Sequence, residues 1–300
     1  MPTLARHIIE HDTTGVLNFQ GFAVGNPFTD PVEYAKGHVD TLYGHSMVPR
    51  PAYLEWYDSC DGGNNVTDRC VDLTDSMQKW SGNINIYALS YPVCLGTNSS
   101  SSTTTTRRFR PAQARLGYAA AESHPWLARA LGLPRLSPRD PEEYEPCVDD
   151  FASAYLNRND VKKAIHANAR ITWQECSGKT PYGTLMYNFT LHDVPVEPIY
   201  LELLASGKNL SILVFSGDDD SVCGTIGTQS WIWELGPKPV GDWKPWTSLD
   251  DGQVAGYVQH FDGLSFATVH GAGHEVPTFK PAQALQLISA YFNRSAWLMN

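Results

Sequence analysis

The sequence predicts an α/β fold, in which helices pack against a β-sheet. Three apolar runs, at residues 17–24, 210–215 and 264–269, have the length and the flanking turn residues that are typical of buried strands. Segments with helical periodicity precede, separate and follow these runs. Strand, loop and helix therefore recur along the chain, which indicates an α/β core.

Helices are predicted on either side of the strands. Leu4, Ile8 and Ile9 share one helical face near the start, and a second helix is expected at residues 196–206, where Gly207 ends it. A last amphipathic helix is expected at residues 281–292. Its predicted buried face consists of four apolar residues, Ala284, Leu285, Ile288 and Phe292.

The middle of the chain differs in composition from its two ends. From about residue 30 to residue 144 the chain is rich in Pro, Gly, Asn and aromatic residues with little clear periodicity, which predicts an inserted cap region, placed at residues 31–190. Residues 1–30 and 191–300 then form the core. Within the cap, the Ser/Thr-rich stretch at residues 97–110 is expected to be a flexible surface loop, because such a polar tract buries little apolar surface.

The charge balance argues against two classes of partner. The chain carries 22 Lys and Arg against 32 Asp and Glu, for a net charge of -10. Such a chain repels phosphate backbones and anionic lipid, so neither nucleic acid nor a membrane surface is an expected partner. The sequence also contains no apolar run that approaches the length of a membrane span.

Cysteines and glycosylation motifs point to an oxidising compartment. The six cysteines form no C-x-x-C pair, which counts against a structural zinc site and leaves disulfides or free thiols. The sequence also contains five N-x-[ST] motifs, whose asparagines are candidate glycosylation sites. These are Asn65, Asn98, Asn188, Asn209 and Asn293.

Candidate catalytic residues follow two of the predicted strands. The aspartates of residues 218–220 come directly after one strand, and His270 and His274 follow the other. Functional side chains of α/β sheets cluster on loops beyond the carboxyl ends of strands. An aspartate followed by a histidine is the order in which α/β-hydrolases supply the last two members of a Ser/Asp/His triad.

Other interpretations of these loops remain open at this point. Residues 218–220 are also typical of a solvated turn with a helix N-cap, whereas a calcium loop is disfavoured because Val222 occupies a position that needs an oxygen ligand. The spacing of His270 and His274 matches a zinc motif, but the two intervening glycines disfavour the required helix. His274 alone is also consistent with a structural loop histidine.

Three motifs resemble those of serine carboxypeptidases. Residues 269–277, VHGAGHEVP, are similar to the family's histidine signature, and residues 215–220, FSGDDD, resemble its aspartate loop G-D-x-D. Residues 21–31, GFAVGNPFTDP, are similar to the strand and turn after the nucleophile, with Pro27 in place of the usual glycine. Segments within residues 85–94 and 144–168 resemble the plant-type cap. The resemblance implies an α/β-hydrolase fold with an inserted cap region.

The same resemblance implies roles for individual residues. His274 is expected to be the catalytic base, and Asp220 is expected to be the triad member whose carboxylate orients it. The resemblance implies no metal and no cofactor. Glu275 would lie near the pocket of the leaving residue, and Cys223 would line that pocket as a free thiol. The implied disulfides are Cys60–Cys70 and Cys94–Cys147.

The resemblance also implies an activity, partners and a compartment. A serine-type carboxypeptidase releases C-terminal residues from peptides at acidic pH, so peptide or protein C-termini are the expected substrates. The expected location is secreted or lysosomal/vacuolar, and a homodimer is an oligomeric state that the family allows. A carboxypeptidase-like acyltransferase with a hydroxyl acceptor, or a non-catalytic binding paralogue, are the alternatives.

The nucleophile of the triad is not found in this sequence. No G-x-S-x-G motif occurs, and residues 1–5 resemble the segment just past the family's nucleophile. We therefore expect the hydrolase fold to be incomplete, with N-terminal strands missing. We also expect the serine to lie outside this chain, so that the fragment alone is inactive.

Overall fold

The computed structural model describes residues 1–12, 14–65, 67–95, 144–174 and 194–294. It confirms the predicted α/β fold. The helices and strands follow one another in the order α1 (Pro2–His11), β1 (Gly21–Gly25), α2 (Pro31–Gly44), α3 (Arg50–Ser59), α4 (Asp68–Ser81), α5 (Val148–Leu156), α6 (Asn159–Ala164), α7 (Glu197–Ala205), β2 (Ser211–Gly217), α8 (Thr225–Glu234), β3 (Pro239–Thr247), β4 (Val254–Phe261), β5 (Leu264–Val269), α9 (Val276–Phe279) and α10 (Pro281–Phe292). A short 3-10 turn, Asp61–Gly63, precedes α4.

The strands form one mixed sheet whose order in the described ranges is β1-β2-β5-β4-β3. Strands β1, β2 and β5 are parallel, whereas β3 and β4 form an antiparallel hairpin at the far edge. Gly25 pairs with Phe215 and Gly217 pairs with Val269 in this sheet. The carboxyl ends of the three parallel strands therefore open at the same edge, where loops can bring side chains together.

Helices cover both faces of the sheet. Alternate residues of β2 point to opposite faces, so Leu213 joins one buried cluster while Ile212 and Val214 join the other. The first cluster includes residues of α10, and the second includes residues of α1, α7 and α8. This double coverage explains why β2 reads as a continuous apolar run in the sequence.

The structure corrects the predicted face of the last helix. Helix α10 has the predicted bounds, but Leu285 and Phe292 are 69% and 75% exposed. Leu287 and Ala290 are buried instead, together with Ala284. Ile288 packs against the same cluster, so the prediction was right for Ala284 and Ile288 and wrong for Leu285 and Phe292, which lie on the side of the helix that faces away from the core.

The region assigned to the cap contains regular structure that the sequence did not predict. Helices α2, α3 and α4 enclose a third buried cluster around Trp56, and the disulfide Cys60–Cys70 joins the end of α3 to the start of α4. The second implied disulfide, Cys94–Cys147, is also present. Both disulfide predictions are confirmed, whereas the boundaries of the cap region stay a prediction.

Three of the five candidate glycosylation sites lie within the described residues. Asn65, Asn209 and Asn293 are exposed, as glycosylation requires. Asn98, Asn188 and the stretch 97–110 lie outside the described residues. Within the described ranges, no helix combines the length and the apolar character that crossing a bilayer demands.

Candidate active site

Two loops at the carboxyl edge of the sheet pack directly against each other. Gly217 is the last residue of β2, directly before the aspartate loop, and the loop after β5 contains Ala272 and Gly273. A Cβ atom on Gly217 would lie 2.3 Å from the carbonyl oxygen of Ala272, so only glycine fits this contact. The close approach brings the aspartate and histidine loops within hydrogen-bond distance.

Asp220 and His274 form a hydrogen-bonded pair at this contact. Nδ1 of His274 lies 2.8 Å from Oδ2 of Asp220, whose side chain is completely buried. The imidazole is 31% exposed, and the backbone N–H of His274 donates to the carbonyl oxygen of Tyr87 at 2.7 Å. The carboxylate therefore fixes the ring with Nδ1 inward, which directs Nε2 away from Asp220.

Further donors stabilise the negative charge of Asp220. Its Oδ1 accepts the backbone N–H of Val222 at 2.8 Å, and its Oδ2 accepts that of Cys223 at 3.2 Å. The side-chain amide of Asn26 donates to Oδ2 at 2.8 Å. These bonds fix the buried carboxyl group in the orientation that presents Oδ2 to the imidazole.

The electrostatics of the pair suit a general base. The hydrogen bond from Asp220 raises the pKa of His274 above its ordinary value, although partial burial of the ring opposes this shift. A raised pKa means that the imidazolium is stabilised. The imidazolium forms when a histidine takes a proton from a nucleophile, so the pair favours that transfer.

Asn26 is a site residue that the sequence did not identify as functional. It is 3% exposed, follows β1, and has a positive φ of 41° that asparagine tolerates better than most residues. Its side-chain oxygen accepts the N–H of Gly217 at 3.2 Å while its amide donates to Asp220. The G-N-P turn in the sequence pointed to a turn but not to this contact.

Comparison with protein families shows which proteins this chain is similar to. The family model described as "Serine carboxypeptidase" matches residues 1–294. The chain belongs to the serine carboxypeptidase family.

Individual relatives within the family are longer than this chain. Serine carboxypeptidase-like 34 of Arabidopsis thaliana is 33% identical over 286 residues, which is 91% of this chain and 52% of the relative. Serine carboxypeptidase-like 26 of the same plant is 31% identical over 300 residues, or 98% of this chain and 58% of the relative. The chain thus spans little more than half the length of these curated relatives.

A solved structure confirms the fold. Kex1Δp, a prohormone-processing carboxypeptidase from Saccharomyces cerevisiae, matches with a TM-score of 0.62 at 17% sequence identity. The match covers 98% of this chain and 59% of the yeast chain. The serine carboxypeptidase chain described here therefore has an α/β-hydrolase fold, as its motifs implied.

The two remaining predicted site residues lie beside the pair. Cys223 is 7% exposed and forms no disulfide, and burial together with the charge of Asp220 raises the pKa of its thiol to about 12. The Cys223 side chain is therefore a protonated thiol, which is a poor metal ligand and a poor nucleophile. Glu275 is exposed immediately after His274, so its predicted contact with the substrate stays a prediction.

Proposed function

We propose that this chain supplies the base, His274, and the orienting acid, Asp220, of a serine-type carboxypeptidase that releases C-terminal amino acids from peptides. The observation that carries this proposal is the 2.8 Å contact between the buried Asp220 carboxylate and Nδ1 of a partly exposed imidazole. Membership of the serine carboxypeptidase family supports it. The proposed substrates are the free C-termini of peptides and proteins.

In the proposed reaction, His274 transfers a proton and Asp220 holds the imidazole ring in place. Nε2 of His274 takes the proton of the serine hydroxyl while the serine attacks the last peptide carbonyl. The imidazolium then gives that proton to the departing amino group, which leaves an acyl-enzyme. His274 next activates the water that hydrolyses the acyl-enzyme, and Asp220 holds the ring throughout. No G-x-S-x-G motif occurs among the 300 residues, so the proposal assigns the serine to a segment outside them.

The proposed pH dependence combines two requirements. His274 must be neutral to act as a base, and its raised pKa means that activity falls as the pH drops through that value. The acidic working pH that the family resemblance implies limits the activity at higher pH instead. We therefore propose a bell-shaped profile with its maximum in the acidic range.

The compartment and the oligomeric state are part of the proposal as well. Two disulfides and three exposed candidate glycosylation sites support a secreted or lysosomal/vacuolar location. A homodimer stays a prediction from the family resemblance.

A product assay tests the proposed function. The protein is expressed from its complete coding sequence in a secretory host, alongside the 300-residue chain, and both are incubated with an N-blocked dipeptide between pH 4 and pH 8. We expect the complete protein to release the C-terminal amino acid and to lose activity after treatment with a serine-directed phosphonate. We expect the 300-residue chain to be inactive.

Each alternative function predicts a different product. Transfer of an acyl group from an ester to a hydroxyl acceptor, without peptide hydrolysis, would replace the proposal by the acyltransferase alternative. A folded complete protein that is inactive in both assays would contradict catalysis. Amino-acid release by the 300-residue chain alone would contradict the assignment of the serine to another segment.

The Asn26 contact gives a further prediction for the complete protein. Asn26→Ala removes one donor to Asp220 and the acceptor of the Gly217 N–H, and we expect kcat to fall on the order of tenfold with little change in KM, because both lost bonds hold the aspartate loop and neither contacts the substrate. Steady-state kinetics measure the effect. The control is Asn18→Ala at an exposed position before β1. An unchanged kcat in a folded Asn26→Ala protein would show that the other bonds to Asp220 suffice.

A further inference from the structure

Asp218 contacts the loop that ends in His274 but is not itself part of the Asp220–His274 pair. Its Oδ1 accepts the backbone N–H of Gly271 at 2.7 Å, and its Oδ2 lies 2.7 Å from Nδ1 of His270. One carboxylate therefore binds the first two residues after β5. Both distances are short, as expected for hydrogen bonds that involve a charged acceptor.

The rest of the histidine loop is held by backbone contacts. The N–H of Asp219 donates to the carbonyl oxygen of Ala272 at 2.9 Å, and the N–H of His274 donates to that of Tyr87 at 2.7 Å. A Cβ atom on Gly273 would lie 2.2 Å from the same Tyr87 oxygen, so the loop has little room to shift at this end. Asp218 supplies the corresponding constraint where the loop begins.

The two bonds of Asp218 differ in their surroundings. The His270 side chain is 70% exposed, so its contact with Asp218 is an exposed pair of the kind that contributes little. Gly271 is partly buried and has a φ of +68°, a left-handed conformation in which the chain turns sharply out of β5. The bond to the Gly271 N–H therefore stabilises the turn that sets the direction of the loop.

We propose that Asp218 is a positioning residue for His274, and that it acts by holding the Gly271 N–H at the entrance of the histidine loop. Without this bond the turn at Gly271 relaxes, and the imidazole loses its fixed orientation relative to Asp220. The catalytic consequence rests on the proposed function, whereas the effect on the imidazole does not.

Four variants separate the two contacts of Asp218. Asp218→Ala removes both contacts, and Asp218→Asn retains an oxygen that can accept from Gly271 while losing the charge. His270→Ala removes the ring contact alone. Asp262→Asn changes an exposed aspartate in the turn between β4 and β5, at the opposite end of the sheet, and serves as the control.

Two measurements are made on every variant. Proton NMR follows the low-field Nδ1–H resonance of His274 and its titration in the folded protein, whether or not that protein is catalytically complete. Steady-state kinetics on the protein from its complete coding sequence give kcat and KM. For Asp218→Ala we expect exchange broadening or loss of the resonance and a fall in kcat of about tenfold to hundredfold, with KM within about twofold.

The order of the effects decides the proposal. We expect Asp218→Asn to lie between wild type and Asp218→Ala, and His270→Ala and Asp262→Asn to resemble wild type. An unchanged resonance and kcat in folded Asp218→Ala would overturn the proposal, as would a loss in His270→Ala equal to that in Asp218→Ala. If Asp218→Ala does not fold, the Asp218→Asn variant decides by the same two measurements.

The result also distinguishes this inference from the proposed function. A wild-type protein without carboxypeptidase activity, in which Asp218→Ala still perturbs the His274 resonance, would refute the function and support the positioning role. An active wild-type protein, in which Asp218→Ala leaves both the His274 resonance and kcat unchanged, would support the proposed function and refute the positioning role.

Discussion

Under the proposed function, replacement of His274 by alanine is expected to lower kcat of the complete protein by roughly a millionfold, because the proposed base for the serine proton is then absent. Asp220→Asn is expected to cost about 10⁴-fold, since an amide at this position does not hold the imidazole in the tautomer that leaves Nε2 free to accept. KM should change little in either variant. Steady-state kinetics with an N-blocked dipeptide measure both losses.

The pH profile adds a second test of the Asp220–His274 pair. The Asp220 carboxylate is the main cause of the raised pKa of His274, so Asp220→Asn should lower that pKa and move the acid limb of the profile to lower pH. Asp262→Asn, far from the site, should leave the profile unchanged. A loss below about tenfold in Asp220→Asn, or an acid limb that does not move, would contradict the assigned roles.

The sequence was most informative where chemistry depends on short motifs. Asp220 and His274 each follow a buried strand directly, and parallel neighbouring strands end at the same edge of the sheet. Position after a strand placed both loops among the candidates, and the resemblance of the two motifs to those of serine carboxypeptidases singled out Asp220 and His274. Asn26 was missed as a functional residue because its role depends on a contact with Asp220, 194 residues further along the chain.

The fold was predictable in its buried strands and not in its exposed parts. Strand β3 is exposed along most of its length and lies at the edge of the sheet, so it lacks the alternation that predicts a strand. Its Trp243 stacks on Tyr257 of β4, a contact across strands that periodicity along the chain does not reveal. Helices α2 to α4 pack around scattered aromatic residues and the Cys60–Cys70 disulfide, which gave no regular apolar pattern.

Glu197 shows a different kind of electrostatic constraint, outside the active site. It begins α7, both of its carboxyl oxygens are buried, and no other residue in the described ranges gives them a hydrogen bond. Burial is the main cause that raises the pKa of Glu197 to about 7; its own backbone N–H opposes this shift, and the nearby carboxylates of Asp30, Glu234 and Glu33 add to it. The positive charge of Lys36 is directed at Glu33, since Nζ of Lys36 lies 2.6 Å from Oε1 of Glu33. Glu197 is therefore accommodated best in its neutral form.

The protein should consequently lose stability as the pH rises towards neutrality. The pKa of Glu197 in the folded state lies above its value of 4.5 in the unfolded chain, so its contribution to stability is complete below pH 4.5 and is lost as the pH rises through about 7. Water reaches part of this half-buried side chain, so we expect a loss of about 2 kcal/mol rather than the full value of the shift.

Glu197→Gln isolates this effect because glutamine keeps the shape of the protonated acid without ionising. At pH 8 we expect the variant to be more stable than wild type by about 2 kcal/mol, and at pH 4 we expect the two to be equal. Denaturant unfolding at both pH values measures the difference. Glu202→Gln provides the matched control, since Glu202 lies on the same helix with a side chain that is 55% exposed. Equal stabilisation by Glu197→Gln at both pH values would attribute the gain to packing and contradict a titrating Glu197, because only ionisation makes the benefit disappear in acid.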